Sequence, residues 1–269
     1  MLSITRYYIK NLCLVPLVKF IWHCETENAN IHHKLLPTDC IDLIMNFTDN
    51  MIYEVGTQKI IAPAFHVNGL RDSYSYVHQT GTIHLWGISF YSFGLFPFVN
   101  QSLENIQNKI TDLFTLSASL THKLKAAVSC GVIHNIPENI ESALLLELNI
   151  SKVYMNKTNL IHDFIETEEK SAILSFCIEH EINIKTLERI VLQYTGYTPK
   201  KLRRIKRFQT VSNQLVHSDP VSLASISYDN DFSDQAHFIK EFKKFSGESP
   251  SIFKQQKDTI KEILKYRYI

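Results

Sequence analysis

No run of apolar residues in this 269-residue chain reaches the roughly 18 that a membrane-spanning helix needs. The first twenty residues scatter Arg6, Lys10 and Lys19 among apolar neighbours and lack a small-residue cleavage site, so no signal peptide is read there. None of the 5 cysteines (Cys13, Cys24, Cys40, Cys130, Cys177) forms a C-x-x-C pair. An odd, unpaired set argues against a disulfide scaffold or zinc finger, and for a reducing compartment with buried structural thiols. There is no G-x-x-x-x-G-K-[ST] phosphate loop and no nucleophile elbow. His32, His33, His66, His78 and His84 occur without an H-x-H-x₃₋₆-E pattern, and the adjacent His32 and His33 would point to opposite faces of a strand. The expectation is therefore a non-enzyme with no metal and no cofactor.

Net charge is also scarce, at +1, but it is unevenly spread. Residues 1–150 hold 9 Lys+Arg against 12 Asp+Glu, whereas residues 183–257 hold 13 against 7. A basic C-terminal part suits a nucleic-acid partner.

Short apolar runs fill the first hundred residues: Val18–Cys24, Ile41–Phe47, Met51–Val55, Phe65–Val67 and Ile83–Tyr91. Turn residues such as Asn28, Asn30, Gly56, Gly69 and Gly81 separate them, which predicts several short strands in a sandwich or barrel. After Pro97 the period changes, predicting helices over Ser102–Ile110, Leu116–Val128 and Ile140–Val153 and no further strands. The domain boundary is expected near residue 150. Trp22, Trp86, Phe90, Phe93, Phe96 and Phe98 are read as core, with an apolar ligand pocket as the alternative.

Two C-terminal stretches repeat with an offset of 51: LERIVLQYTGYTPKKLRR (Leu187–Arg204) and FIKEFKKFSGESPSIFKQ (Phe238–Gln255). Leu187, Val191 and Tyr194 share one helix face, as do Phe238, Phe242 and Phe245. Gly196 and Gly247 stand where a helix ends in a left-handed cap, and Thr198-Pro199 and Ser249-Pro250 then open new helices. Upstream, Ala172–Glu179 and Val221–Tyr228 are short helix candidates, followed by turns and the N-cap candidates Asn183 and Ser233. Helix, tight turn and second helix is the helix-turn-helix plan, here present twice. The connecting helix, Pro199–Leu215, carries Lys200, Lys201, Arg203, Arg204, Lys206 and Arg207, read mostly as a solvated face.

At this point the sequence resembles a family. FSDQAHFIKEFKKFSGESPSIFK and TLERIVLQYTGYTPKKLRRIKRFQ are similar to the signature of AraC/XylS-type transcriptional regulators, over about Leu160 to Lys257. The family favours glycine in both turns, where this chain has Glu181 and Asp231. LPTDCIDLIMNF (Leu36–Phe47) and GISFYSFGLFPFV (Gly87–Val99) resemble an N-terminal domain often found ahead of this type. The resemblance implies an α+β chain. A cupin-like β-barrel with trailing helices (1–150) senses or dimerises, and an all-α DNA-binding domain (151–269) holds two helix-turn-helix units joined by a linker helix. The family's DNA-contacting positions fall on Asn183, Lys185, Thr186 and Arg189, and on Ser233, Asp234, Gln235, His237 and Lys240. Arg189 suits guanine O6/N7, Gln235 adenine N6/N7, and Lys240 guanine or phosphate; Asp234 is read chiefly as a helix cap.

The expected function is a sequence-specific, cytoplasmic DNA-binding transcription regulator whose recognition helices read adjacent major grooves. Double-stranded DNA is its main partner; RNA polymerase, a small-molecule effector and a second copy of the chain are further candidates, and no membrane is involved. The alternative is a protein-interaction module with a degenerate helix-turn-helix, favoured by Asp229, Asp231 and Asp234 around the second unit, which would repel phosphates.

Overall fold

The computed structural model describes residues 4–48, 51–99, 101–129, 133–148, 152–167, 173–217 and 222–256. The strands are β1 (Ile4–Tyr7), β2 (Val18–Leu35), β3 (Cys40–Asn46), β4 (Ile52–Val55), β5 (Gln58–Ile61), β6 (Phe65–Asn68), β7 (Ser75–Tyr91) and β8 (Ile110–Asp112). They make one antiparallel sheet in the order β1-β2-β7-β3-β6-β8, with β4 joining β7 and β5 joining β4. β7 is its spine. One edge pairs with β2 from Ser75 to Phe90; the other takes β3 at Leu85–Tyr91 and β4 at Tyr76–His78.

The long β2 and β7 replace the expected short strands, and Asn28, Asn30 and Gly81 do not end them. The β2–β7 register shifts between Thr26 and Ala29; Asn28 has φ 55, and Gly81, opposite Ala29, has φ 87. This is a bulge, which bends a ladder without ending it. It also resets the alternation, so that Phe20, Trp22 and Cys24 before it and Ile31, His33 and Leu35 after it face one interior. The helix expected over Ser102–Ile110 is instead a 3₁₀ turn, Leu103–Ile106, followed by β8, which pairs with β6. Strand structure thus continues beyond Pro97.

The helices are α1 (Phe96–Val99), α2 (Leu113–Leu116), α3 (Ala118–Ser129), α4 (Ile136–Glu147), α5 (Lys152–Glu166), α6 (Ile173–Glu179), α7 (Ile184–Thr195), α8 (Pro199–His217), α9 (Leu223–Asp229), α10 (Gln235–Ser246) and α11 (Pro250–Gln255). The helix expected over Ile140–Val153 ends at Glu147, and α5 begins at Lys152. The boundary expected near residue 150 lies outside the described residues, as do the expected helix starts at Ala172 and Val221. Among the described residues no helix is long and apolar enough to cross a membrane.

One face of the sheet lines a cavity. The other (Ile21, Ile41, Leu43, Met45, Ile88 and Phe90 among it) packs beneath Leu120, Leu124, Ile140 and Leu144 of α3 and α4. The same buried cluster continues through Phe96 and Leu103 into Leu187, Val191, Phe208 and Phe242, so the sheet and the C-terminal helices share a core. Cys24, Cys40 and Cys177 are buried as expected, but Cys13 is exposed, in a turn-rich segment between β1 and β2; Cys130 lies outside the described residues.

His66, fully buried on β6, is held between two partners. Its Nδ1 lies 2.7 Å from the Pro63 carbonyl, which can only accept, so Nδ1 carries the proton and Nε2 accepts from the Tyr53 hydroxyl at 3.0 Å. Burial pushes this imidazole down to about 4. Between that value and about 6.5, the unfolded chain binds a proton that the folded one refuses. His66 therefore makes stability fall as the pH drops from 6.5 to 4, by about 3 kcal/mol in all. Denaturant unfolding at pH 7 and pH 4.5 checks this: His66→Gln is expected to lose markedly less stability over that interval than the parent. An equal loss in both would place the acid sensitivity elsewhere.

Candidate nucleic-acid interface

Two structural copies of one unit face solvent. In the first, α6 ends at Glu179, Glu181 turns the chain with φ 52, and Asn183 caps α7, its side chain accepting from the Thr186 N–H at 2.8 Å. In the second, α9 ends at Asp229, Asp231 turns with φ 55, and Asp234 caps α10 by accepting from the His237 N–H at 2.7 Å. The N-cap is thus Asp234 and not Ser233. Ser233 sits one residue earlier, its hydroxyl 3.1 Å from His237 Nδ1. The caps Asn183 and Asp234 stand 51 apart, as do the left-handed C-caps Gly196 and Gly247 (φ 79 and 83). The His237 N–H holds the Asp234 carboxyl below the usual carboxylate range, so it is a charged cap at the positive end of α10.

Left-handed backbone is costly for side chains other than glycine, less so for aspartate. Glu181→Gly is expected to stabilise the protein by about 0.5–1 kcal/mol, the left-handed cost of about 1–2 kcal/mol less glycine's extra chain entropy. Asp231→Gly is expected to gain less. Denaturant midpoints of the two variants check the order; destabilisation by Glu181→Gly would mean that its side chain is needed in the turn.

Each unit buries one face and exposes the other. Leu187, Val191 and Tyr194 of α7 and Phe238, Phe242 and Phe245 of α10 are all at most 2% exposed. Asn183, Lys185, Arg189, Ser233, Asp234, Gln235, His237 and Lys240 are exposed, and Thr186 is half-buried. Among the described residues, no hydrogen bond or ion pair engages the side chains of Lys185, Arg189, Gln235 or Lys240. His237 is more occupied: Nε2 lies 3.6 Å from Glu241 Oε2, and its ring meets Phe232 edge-on at 5.5 Å.

The linker helix α8 differs from expectation, because most of its basic run is held inside the molecule. Arg204 and Arg207 grip the buried Glu241 of α10 at 2.9 and 2.8 Å. Lys201 pairs with Asp72, Lys206 reaches Glu166 and the Ile165 carbonyl, and Arg203 lies 4.7 Å over the Phe164 ring. Of the six cations only Lys200 is exposed. Sequence cannot separate these roles, since the partners come from α5, α10 and the loop before β7.

The C-terminal units are anchored to the sheet. Tyr194 stacks on Phe96 at 4.0 Å, and the Tyr197 hydroxyl donates to the Leu70 carbonyl at 2.9 Å. Gln209 donates to Asp39, in the Leu36–Phe47 stretch, at 3.2 Å, and Lys34 pairs with Glu248 at 3.0 Å. Asp39 also holds Lys19 at 3.0 Å; burial alone would raise its carboxyl, but Lys19 keeps it below the usual range.

The cavity on the other sheet face leaves about 160 Å³ for the centres of water-sized molecules. Phe20, Trp22, Ile31, Ile44, Tyr53 and Leu85 make it apolar; His33, Asp42, Gln79 and Ser89 supply polar atoms, with the Ser89 hydroxyl 2.6 Å from Asp42 Oδ1. Of the aromatic set read from the sequence, Trp22 lines the cavity, while Trp86, Phe90, Phe93, Phe96 and Phe98 are core. His33 faces inward and His32 outward, as adjacent strand residues must. Sequence reading missed a cluster across three strands, in which ligand atoms of His32, Glu54 and His78 lie within 4.8 Å of one another. No motif spacing could have revealed it, because it exists only through strand pairing.

Two stretches of this chain match known families. Residues 177–256 match the family described as a helix-turn-helix domain, and residues 11–112 match one described as a domain of unknown function, DUF6597. No curated protein matches the sequence. Among solved structures, ToxT from Vibrio cholerae O395 aligns over 87% of this chain and 95% of its own at 11% identity and TM-score 0.45. Unsaturated fatty acid-bound ToxT from Vibrio cholerae strain SCE256 aligns over 85% and 95% at 11% identity and TM-score 0.39. The AraC-like transcriptional activator CuxR aligns over 79% and 96% at 12% identity and TM-score 0.31.

Proposed function

We propose how this DNA-binding transcription regulator, of the AraC type by its helix-turn-helix domain at residues 177–256, reads its target. The N-terminal ends of α7 and α10 enter successive major-groove turns on one face of double-stranded DNA. Asn183, Lys185, Thr186 and Arg189 serve the first half-element, and Ser233, Gln235, His237 and Lys240 the second, with Asp234 as the cap that fixes the start of α10. One contrast carries this reading. Most linker cations are used up inside the protein, whereas Lys185, Arg189 and Lys240 stand exposed on two equivalent helices, with no side-chain hydrogen bond or ion pair among the described residues. A surface of this kind gains by neutralising phosphates and reading base edges.

Residues 1–150 act as the regulatory part and residues 151–269 as the DNA-binding part. The cavity takes a largely apolar effector that carries a hydrogen-bonding group, which its lining and the Asp42–Ser89 pair suit. RNA polymerase and a second copy of the chain are further partners of this reading, the protein acts in the cytoplasm, and it catalyses no reaction.

Arg189→Ala tests the base-reading role. It is expected to cost about 1–3 kcal/mol of specific binding and to relax base choice at one position. Binding measured on a library of operator variants checks this. An equal loss on every sequence would make Arg189 a phosphate contact.

A further inference from the structure

We infer that His32, Glu54 and His78 form a binding site for a divalent transition-metal ion of the zinc class. Strand pairing creates it. His32 of β2 lies directly across from His78 of β7, and β4 runs along the other edge of β7 with Ile52 opposite His78, so Glu54 is one diagonal step away. The two imidazoles stack with centroids 4.2 Å apart, and His78 Nε2 lies 3.0 Å from Glu54 Oε2.

Two imidazole nitrogens and a carboxylate oxygen are the donors of zinc sites that keep an open position. Bonds of about 2.0–2.2 Å in tetrahedral array set such donors roughly 3.3 Å apart. Glu54 and His78 already meet at that spacing, and His32, being exposed, closes the set by turning its side chain. His78 Nε2 is shut off from water and faces the Glu54 carboxylate at 3.0 Å. Lys59 Nζ lies 3.0 Å from Glu54 Oε1, on the carboxylate oxygen that does not face His78.

The site is separate from the cavity. His33, Tyr53, Val77 and Gln79 face inward, so their neighbours His32, Glu54 and His78 project from the opposite face. That outer face also carries Lys34, two residues (about 7 Å) along β2, which pairs with Glu248 just after the C-cap of α10. A bound ion therefore sits beside the contact that holds the second helix-turn-helix unit.

Zinc alone, titrated into the metal-free full chain against a chromophoric chelator, tests the assignment. One equivalent is expected to bind. His32→Ala and His78→Ala are each expected to weaken it by at least about tenfold, a loss that even an outer-shell partner can cause. Lys59→Met, which frees the carboxylate, is expected to tighten it. His32 is exposed, so an unchanged thermal midpoint of His32→Ala without zinc separates lost ligation from lost folding. The same stoichiometry and affinity in the double variant His32→Ala/His78→Ala, or no bound equivalent in the parent at micromolar zinc, would overturn the assignment.

Discussion

Replacing Gly196 with alanine is expected to lower stability by at least about 2 kcal/mol, or roughly 4–8 °C in the thermal midpoint for a chain of this size. Two effects add. The C-cap of α7 has φ 79, where a side chain costs about 1–2 kcal/mol. The new Cβ would also lie 2.6 Å from the Leu103 carbonyl oxygen, which is backbone and cannot swing aside. Gly247 makes the internal comparison. Its φ, 83, is nearly the same, but a Cβ there meets the ring of Tyr74, a side chain 36% exposed and able to turn. Gly247→Ala is therefore expected to be the milder change. If it proves equal to or worse than Gly196→Ala, the docking of α7 against the Leu103 turn is not what holds the first unit in place.

Glu241→Ala is expected to have the second large effect. The carboxylate is 7% exposed and accepts from Arg204 and Arg207 of α8, so it ties the linker helix to the second recognition helix. Removing one member of a buried ion pair costs about 3–5 kcal/mol, and about 3 is expected here because Arg204 is 32% exposed and keeps some water. Binding should change in kind as well. With α10 loosened, affinity for the specific site falls. The two released guanidinium groups become free for phosphates, so the salt dependence of binding to random DNA steepens, by up to about two in log–log slope. Unfolding and salt titrations of the same variant measure both. An unaltered unfolding midpoint would show that the pair is dispensable.

The helix-turn-helix doublet was legible in the sequence because its determinants are local and doubled. Leu187, Val191 and Tyr194 recur as Phe238, Phe242 and Phe245, and Gly196 as Gly247, each needed by a helix face or a cap. Glu181 and Asp231, where the family resemblance places glycine, adopt the left-handed turn that glycine would. Other features depend on partners far away in the chain. Asn28 and Gly81 read as turns, but across the β2–β7 ladder they form a bulge in two long strands. The linker's basic run read as solvated, and the buried Glu241 that pairs with Arg204 and Arg207 came into view only once α8 and α10 were packed together. The His32–Glu54–His78 cluster has no sequence signature, since neighbouring strands supply its members.

Sequencing the genomic DNA fragments that the purified protein retains at two salt concentrations tests the central claim most directly. Two exposed recognition helices on one linker predict a shared motif of two half-elements about one helical turn apart, still enriched at the higher salt. Retention of fragments with no common motif, vanishing as salt rises, would contradict sequence-specific reading by α7 and α10 and favour a protein-binding role for the doublet.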